Sequence, residues 1–117
     1  YWYIIGAEDI WALDARGVID KVVSSISKLN EKLSPLPILL TKYRSNVLQC
    51  QIMKDTCCEQ FSNLSGVFKT TVRFTTQIAR SESKRMSIFE YDEKQKVAED
   101  YFNLTNELID FISKENN

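Results

Sequence analysis

The chain contains no histidine. That absence removes Ser-His and Cys-His nucleophilic machinery, histidine-ligated zinc or haem, and proton switching near neutral pH. Glycine and proline are also scarce, at three and two residues, which leaves little material for a turn-rich β fold. No apolar run approaches the roughly 20 residues of a membrane-spanning helix. The net charge of −1 supplies no global field toward nucleic acid or an anionic membrane. The chain also lacks a glycine-rich phosphate loop, metal-ligand spacing and paired carboxylates in an apolar setting. Asp92-Glu93 and Glu99-Asp100 fall on a polar helix face, so an enzyme, a metal and a cofactor are not expected.

What is present suits one domain of 117 residues, 44% hydrophobic and 26% charged, large enough for a real core. Apolar spacing points to helices. Ala12, Ala15, Ile19, Val22, Ile26, Leu29 and Leu33 alternate steps of three and four, the cleanest heptad in the chain. Glu8, Asp9 and Asp14 place negative charge at its start, where the helix dipole favours it. Ser34-Pro35-Leu36-Pro37 stops that helix, and Ser34 is positioned to cap the next, making the two antiparallel neighbours.

The stretch from Pro37 to Arg80 organises the expectation. Leu40, Tyr43, Val47, Cys50, Cys57, Phe61, Leu64 and Phe68 form a stripe, with Lys54 snorkelling in the vacant slot. Gly66 can supply the left-handed residue that breaks the stretch. Beyond it, Phe68, Thr70, Val72 and Phe74 alternate with polar residues, which is strand-like. The same residues fit a helix, and only Tyr1–Ile5 offers a comparable partner run, so helix is preferred. Ser87-Ile88-Phe89-Glu90 reads as a capping box opening a last helix with Val97, Tyr101, Leu104, Leu108 and Phe111 inward and Ile112 widening the face.

The spacing therefore predicts an all-α, antiparallel four-helix bundle with coiled-coil-like packing and helices at 8–33, 36–64, 67–80 and 88–114. The alternative is three long helices, the middle one continuous through Gly66. Basic residues at 69–85 facing the acidic segment 87–117 favour pairing of those two segments with one another.

Cys50, Cys57 and Cys58 are read as free thiols. On a helix the first pair lies about 10 Å apart, beyond disulfide reach. That suits a reducing compartment, so a cytoplasmic location is expected. Two sequons at Asn63 and Asn103 and the missing initiator Met carry the secreted alternative, a helical ligand, effector or sensor ectodomain.

The leading functional expectation is a non-enzymatic protein–protein interaction or scaffold module that buries an apolar helix stripe in a partner or in a second copy. Trp11, Phe68, Arg73, Phe74, Arg80, Lys84 and Arg85 are the candidate partner-contacting residues. A hydrophobic-ligand carrier lined by Phe61, Phe68, Phe74, Tyr101 and Phe111 is the further alternative, although a small-molecule ligand is not expected.

Overall fold

The computed structural model describes residues 1–7, 16–61 and 65–115, and the side chains of all of these except 16–19 and 115. The fold is mixed α/β, which overturns the all-α bundle and its coiled-coil packing. Strand β1 (Ile4–Gly6) pairs in parallel with β2 (Leu39–Thr41), in register Ile4 with Leu39 and Gly6 with Thr41. A third extended segment, residues 66–74, lies along the other side of β2 through parallel bridges at Ile38–Val67 and Tyr43–Arg73. Backbone bonds run the length of this second seam. Phe68 N donates to Ile38 O at 2.9 Å, Val72 N to Leu40 O at 2.9 Å and Tyr43 N to Val72 O at 3.0 Å.

The error in the helical reading lies in Pro35-Leu36-Pro37-Ile38-Leu39-Leu40. Two prolines hold Ser34 and Leu36 in extended geometry, and Leu36 N donates to Tyr1 O at 2.8 Å. Pro37, Ile38, Leu39 and Leu40 are all buried. A surface helix cannot bury four consecutive side chains, whereas the middle strand of a parallel sheet buries both of its faces. Tyr1–Ile5 and 66–74 are both extended, but neither pairs with the other. The partner common to both is the run read as the start of a helix.

Parallel strands need crossover connections, and the helices supply them. Helix α1 (Arg16–Ser27) lies between β1 and β2, and α2 (Leu48–Gln60) between β2 and the third segment. Alternation along β2 then splits the core. Ile38 and Leu40 join Tyr3, Ile5, Met53, Cys57 and Phe61 on the α2 side. Leu39 faces the opposite way, into a cluster with Phe68, Val72, Ile88, Val97, Ala98 and Leu104. The Tyr3 hydroxyl donates to the Asp20 carboxylate, tying α1 to β1.

The remaining helices close the second face. Helix α3 (Thr76–Ser83) starts where Thr75 accepts a bond from Gln77 N at 3.2 Å. Helix α4 (Ile88–Asp92) opens on the expected capping box between Ser87 and Glu90. Helix α5 (Lys96–Glu115) carries the expected stripe, with Val97 and Leu104 buried and Tyr101, Leu108 and Phe111 packed against the same cluster. Ile112 does not widen that face; it is exposed.

The predicted boundaries shift accordingly. The 8–33 helix is described only from Arg16 and ends at Ser27; its residues 8–15 lie outside the described residues. The 36–64 helix resolves into β2, a turn and α2. The 67–80 helix is extended until Thr75, and the 88–114 helix is two helices. Gly66 adopts the left-handed conformation expected of it, with φ +79, but six residues beyond the end of α2. Its role is to turn the chain into the third segment, and its carbonyl accepts from Ile38 N at 2.9 Å.

Candidate functional site: an apolar helix face and a crevice at the strand ends

Helix α1 turns a narrow inward side toward the sheet. Asp20 bonds to Tyr3, and Val23 and Ser27 are half-buried. The heptad residues lie about 120° round the helix from that side, by 100° steps per residue. Of these, Val22 at 54%, Ile26 at 46% and Leu29, in the turn that follows, at 90% are exposed, Leu33 is half-buried, and the side chains of Ala12, Ala15 and Ile19 lie outside the described residues. The part of the predicted core stripe from Val22 to Leu29 is therefore a surface feature. Its buried counterpart is the less regular Cys50-Met53-Cys57 series of α2.

A second feature forms where β2 and the third segment end. After Thr41 the chain takes a left-handed turn at Lys42, φ 52. Alongside it, Arg73 donates to Asp100 through Nε at 2.7 Å, through Nη2 at 2.9 Å and through its backbone N–H at 3.1 Å. Asp100 comes from the buried side of α5. The hydrogen bonds that the Arg73 guanidinium donates to the Asp100 carboxylate hold it above its ordinary pKa, against the opposing effect of desolvation. One turn pair further along α5, Glu107 accepts from Lys69 N at 2.6 Å and Thr70 N at 3.0 Å. The charge complementarity expected between the basic and acidic segments is thus realised at Arg73, and two further bonds go to backbone rather than to side-chain cations.

Between this seam and α3 lies a half-open crevice of about 510 Å³, with Lys42, Phe74, Thr76, Ile78 and Tyr101 among its walls. Arg44 lies over the Phe74 ring, its guanidinium carbon 3.9 Å from the centroid. Burial, with Glu82 and Asp100 nearby, raises the Tyr101 phenol pKa and keeps it neutral. No family model matches the chain, and no curated protein does. The geometry must carry the functional reading.

Among the candidate contact residues, Arg73 and Phe74 share this crevice wall. Phe68 does not belong to any surface. It is 3% exposed and edge-on to Trp2 and Phe111, with centroids at 5.8 and 6.5 Å. Arg80 is exposed on α3, while Lys84 caps that helix and sits 5.6 Å from the Tyr91 ring. Arg85 is exposed in a left-handed turn. These three do not converge on the crevice lining. Trp11 and Asn63 lie outside the described residues. Asn103 is exposed in the middle of α5, and the Thr105 hydroxyl of its sequon donates to Tyr101 O at 2.8 Å. For the carrier reading, Phe61 and Phe68 are plain core, leaving Phe74 and Tyr101 at the crevice.

Sequence reasoning missed Val22, Ile26 and Leu29 as surface residues and Asp100 and Glu107 as clamps. The seven-residue spacing of the two acids on an amphipathic helix was a usable signal. The exposure of α1 had none, because a core stripe and a docking stripe have the same periodicity.

The described residues contain no group of three or more His, Cys, Asp or Glu side chains placed to hold a metal ion. They also contain no helix long and apolar enough to cross a membrane.

Proposed function

We propose that this chain is a protein–protein interaction module that docks through the apolar stripe of α1. The observation that carries the proposal is the exposure of Val22 and Ile26 on α1, and of Leu29 in the turn that follows, on a side about 120° from the one that Asp20 anchors to Tyr3. Full burial of each side chain contributes about 1.5–3 kcal/mol, against an association cost of at least ~4 kcal/mol. The stripe therefore anchors a larger contact rather than forming one alone. Replacing Val22 and Leu29 with lysine leaves the fold intact, because neither side chain is in the core. The double variant is expected to abolish association with a partner or with a second copy, measured as mass by light scattering and by co-purification. Unchanged association with native circular dichroism overturns the assignment.

A second reading has its own support in the crevice beside Phe74 and Tyr101. In open α/β sheets, ligands bind outside the carboxyl ends of the strands, and this crevice lies there. An apolar-bodied small molecule fits its walls. 1-Anilinonaphthalene-8-sulfonate is the probe: fluorescence enhancement in the native chain, lost in Ala79→Trp, which fills the crevice from the α3 wall, supports this reading. Enhancement that persists in that variant removes it.

A further inference from the structure

The connection between α3 and α4 carries a charge pattern that the core does not use. Lys84, Arg85 and Ser87 are exposed there, and Met86 is half-buried. The two cations lie three and two positions before the serine, and the apolar Ile88 follows it. Among the described residues neither cation forms an ion pair. Lys84 lies near the Tyr91 ring, and Arg85 occupies a left-handed turn, φ 56.

Hydrogen bonding separates Ser87 from the serines just before it. The Ser81 hydroxyl donates to Ile78 O at 2.8 Å and the Ser83 hydroxyl to Arg80 O at 2.8 Å, and Ser81 is also buried. Ser87 Oγ accepts from Glu90 N at 3.1 Å. Capping a helix in this way uses a lone pair of the oxygen and leaves the hydroxyl proton uncommitted. Within residues 81–87, Ser87 is therefore the serine that is both exposed and free to give up its proton.

The segment is also easily presented. Residues 84–87 lie outside both helices, and α4 has five residues, of which only Ile88 is buried. A helix that short loses few contacts when it opens locally, which lets the chain extend into an enzyme's groove.

We propose that Ser87 is a phosphoacceptor for a serine/threonine kinase with an acidic substrate groove. Lys84 and Arg85 are read by the carboxylates of that groove, the charge pattern that sets the choice of kinase. Ser87 Oγ attacks the γ-phosphorus of a nucleoside triphosphate. The bond from that phosphorus to the β–γ bridging oxygen breaks, the nucleoside diphosphate leaves with the electron pair, and the hydroxyl proton passes to a carboxylate of the kinase.

The proposal is independent of docking at α1 and of the crevice. The probe is the catalytic subunit of cyclic-AMP-dependent protein kinase with magnesium ATP, acting on the full folded chain. One phosphoryl group is expected by intact mass, placed on Ser87 by peptide fragmentation. Ser87→Asn keeps a residue that caps helices and removes the acceptor, so it is expected to take none. Lys84→Gln/Arg85→Gln changes two exposed side chains and is expected to lower kcat/KM by roughly tenfold or more. Ser83→Ala is expected to react as the parent does. No incorporation at Ser87, or an equal kcat/KM in the double variant, overturns the proposal.

Discussion

Cys57 and Cys58 are adjacent in sequence and opposite in environment. Cys57 is fully buried on α2, whereas Cys58 faces solvent, and both are free, as is the buried Cys50. Burial, with a smaller contribution from Cys58, pushes the Cys57 thiol from 9.0 to about 11. A pKa raised by folding means that the native state holds its proton longer than the unfolded chain. Its stabilising effect is complete below pH 9 and is lost as pH rises through 11. Urea unfolding is expected to show a loss on the order of 2 kcal/mol over that interval, reduced in Cys57→Ala; equal pH dependence in both chains contradicts the assignment. Iodoacetamide at pH 8 is expected to label Cys58 while sparing Cys50 and Cys57 in the native chain, as peptide mass mapping will show. Asp100 makes a similar distinction among charges. Asp100→Ala leaves the Arg73 side chain and backbone N–H without their acceptor and is expected to cost about 2–3 kcal/mol. Arg73→Ala removes a half-exposed partner from a carboxylate that keeps its backbone donor, and is expected to cost about 1 kcal/mol. Denaturation midpoints with unchanged slopes provide the comparison.

At the scale of elements, local signals were reliable where they were local in cause. The Ser87–Glu90 capping box needs only four residues and forms as written; Ser87→Ala is expected to cost about 1 kcal/mol by chemical denaturation. Gly66 adopts φ +79, and an added Cβ would meet nothing within 4 Å. Gly66→Ala therefore measures backbone strain with no steric contribution, expected at about 1 kcal/mol. Elements that depend on distant partners were misread. Leu40, Tyr43, Val47 and Cys50 have helical spacing, yet Leu40 belongs to a strand and Cys50 to a helix, with the left-handed Lys42 and a turn between them. Periodicity averages over such a break when apolar residues on both sides happen to keep step. The strand-like alternation of Phe68 to Phe74 was visible, but it lacked an adjacent partner in sequence.

For the whole molecule, the radius of gyration is 15.6 Å, against roughly 13 Å for a compact domain of this length. Exposed Val22, Ile26 and Leu29, the exposed side chain of Ile4 and the outward Phe102 and Ile109 of α5 all fit that looser shape. The core is two clusters on either side of a thin sheet, so the aromatics separate by layer. Phe68→Ala, in the second cluster, is expected to cost about 3–5 kcal/mol. Phe74→Ala, partly exposed under Arg44, is expected to cost under about 1 kcal/mol. The two residues lie six apart in one apolar series and are alike in sequence; equal costs would contradict the layering.

The sequence by itself determined the helical faces of α2 and α5, the helix cap at Ser87, the left-handed turn at Gly66 and the complementarity between the basic and acidic segments. Each of these rests on residues within a few positions of one another or on charge sign. Only the tertiary structure decided that Leu39–Thr41 is a central strand, that Phe68 is core and that Val22, Ile26 and Leu29 face outward. Those outcomes depend on which distant segments share a layer. A parallel sheet assembles from segments more than 20 residues apart, so no local pattern carries its pairing.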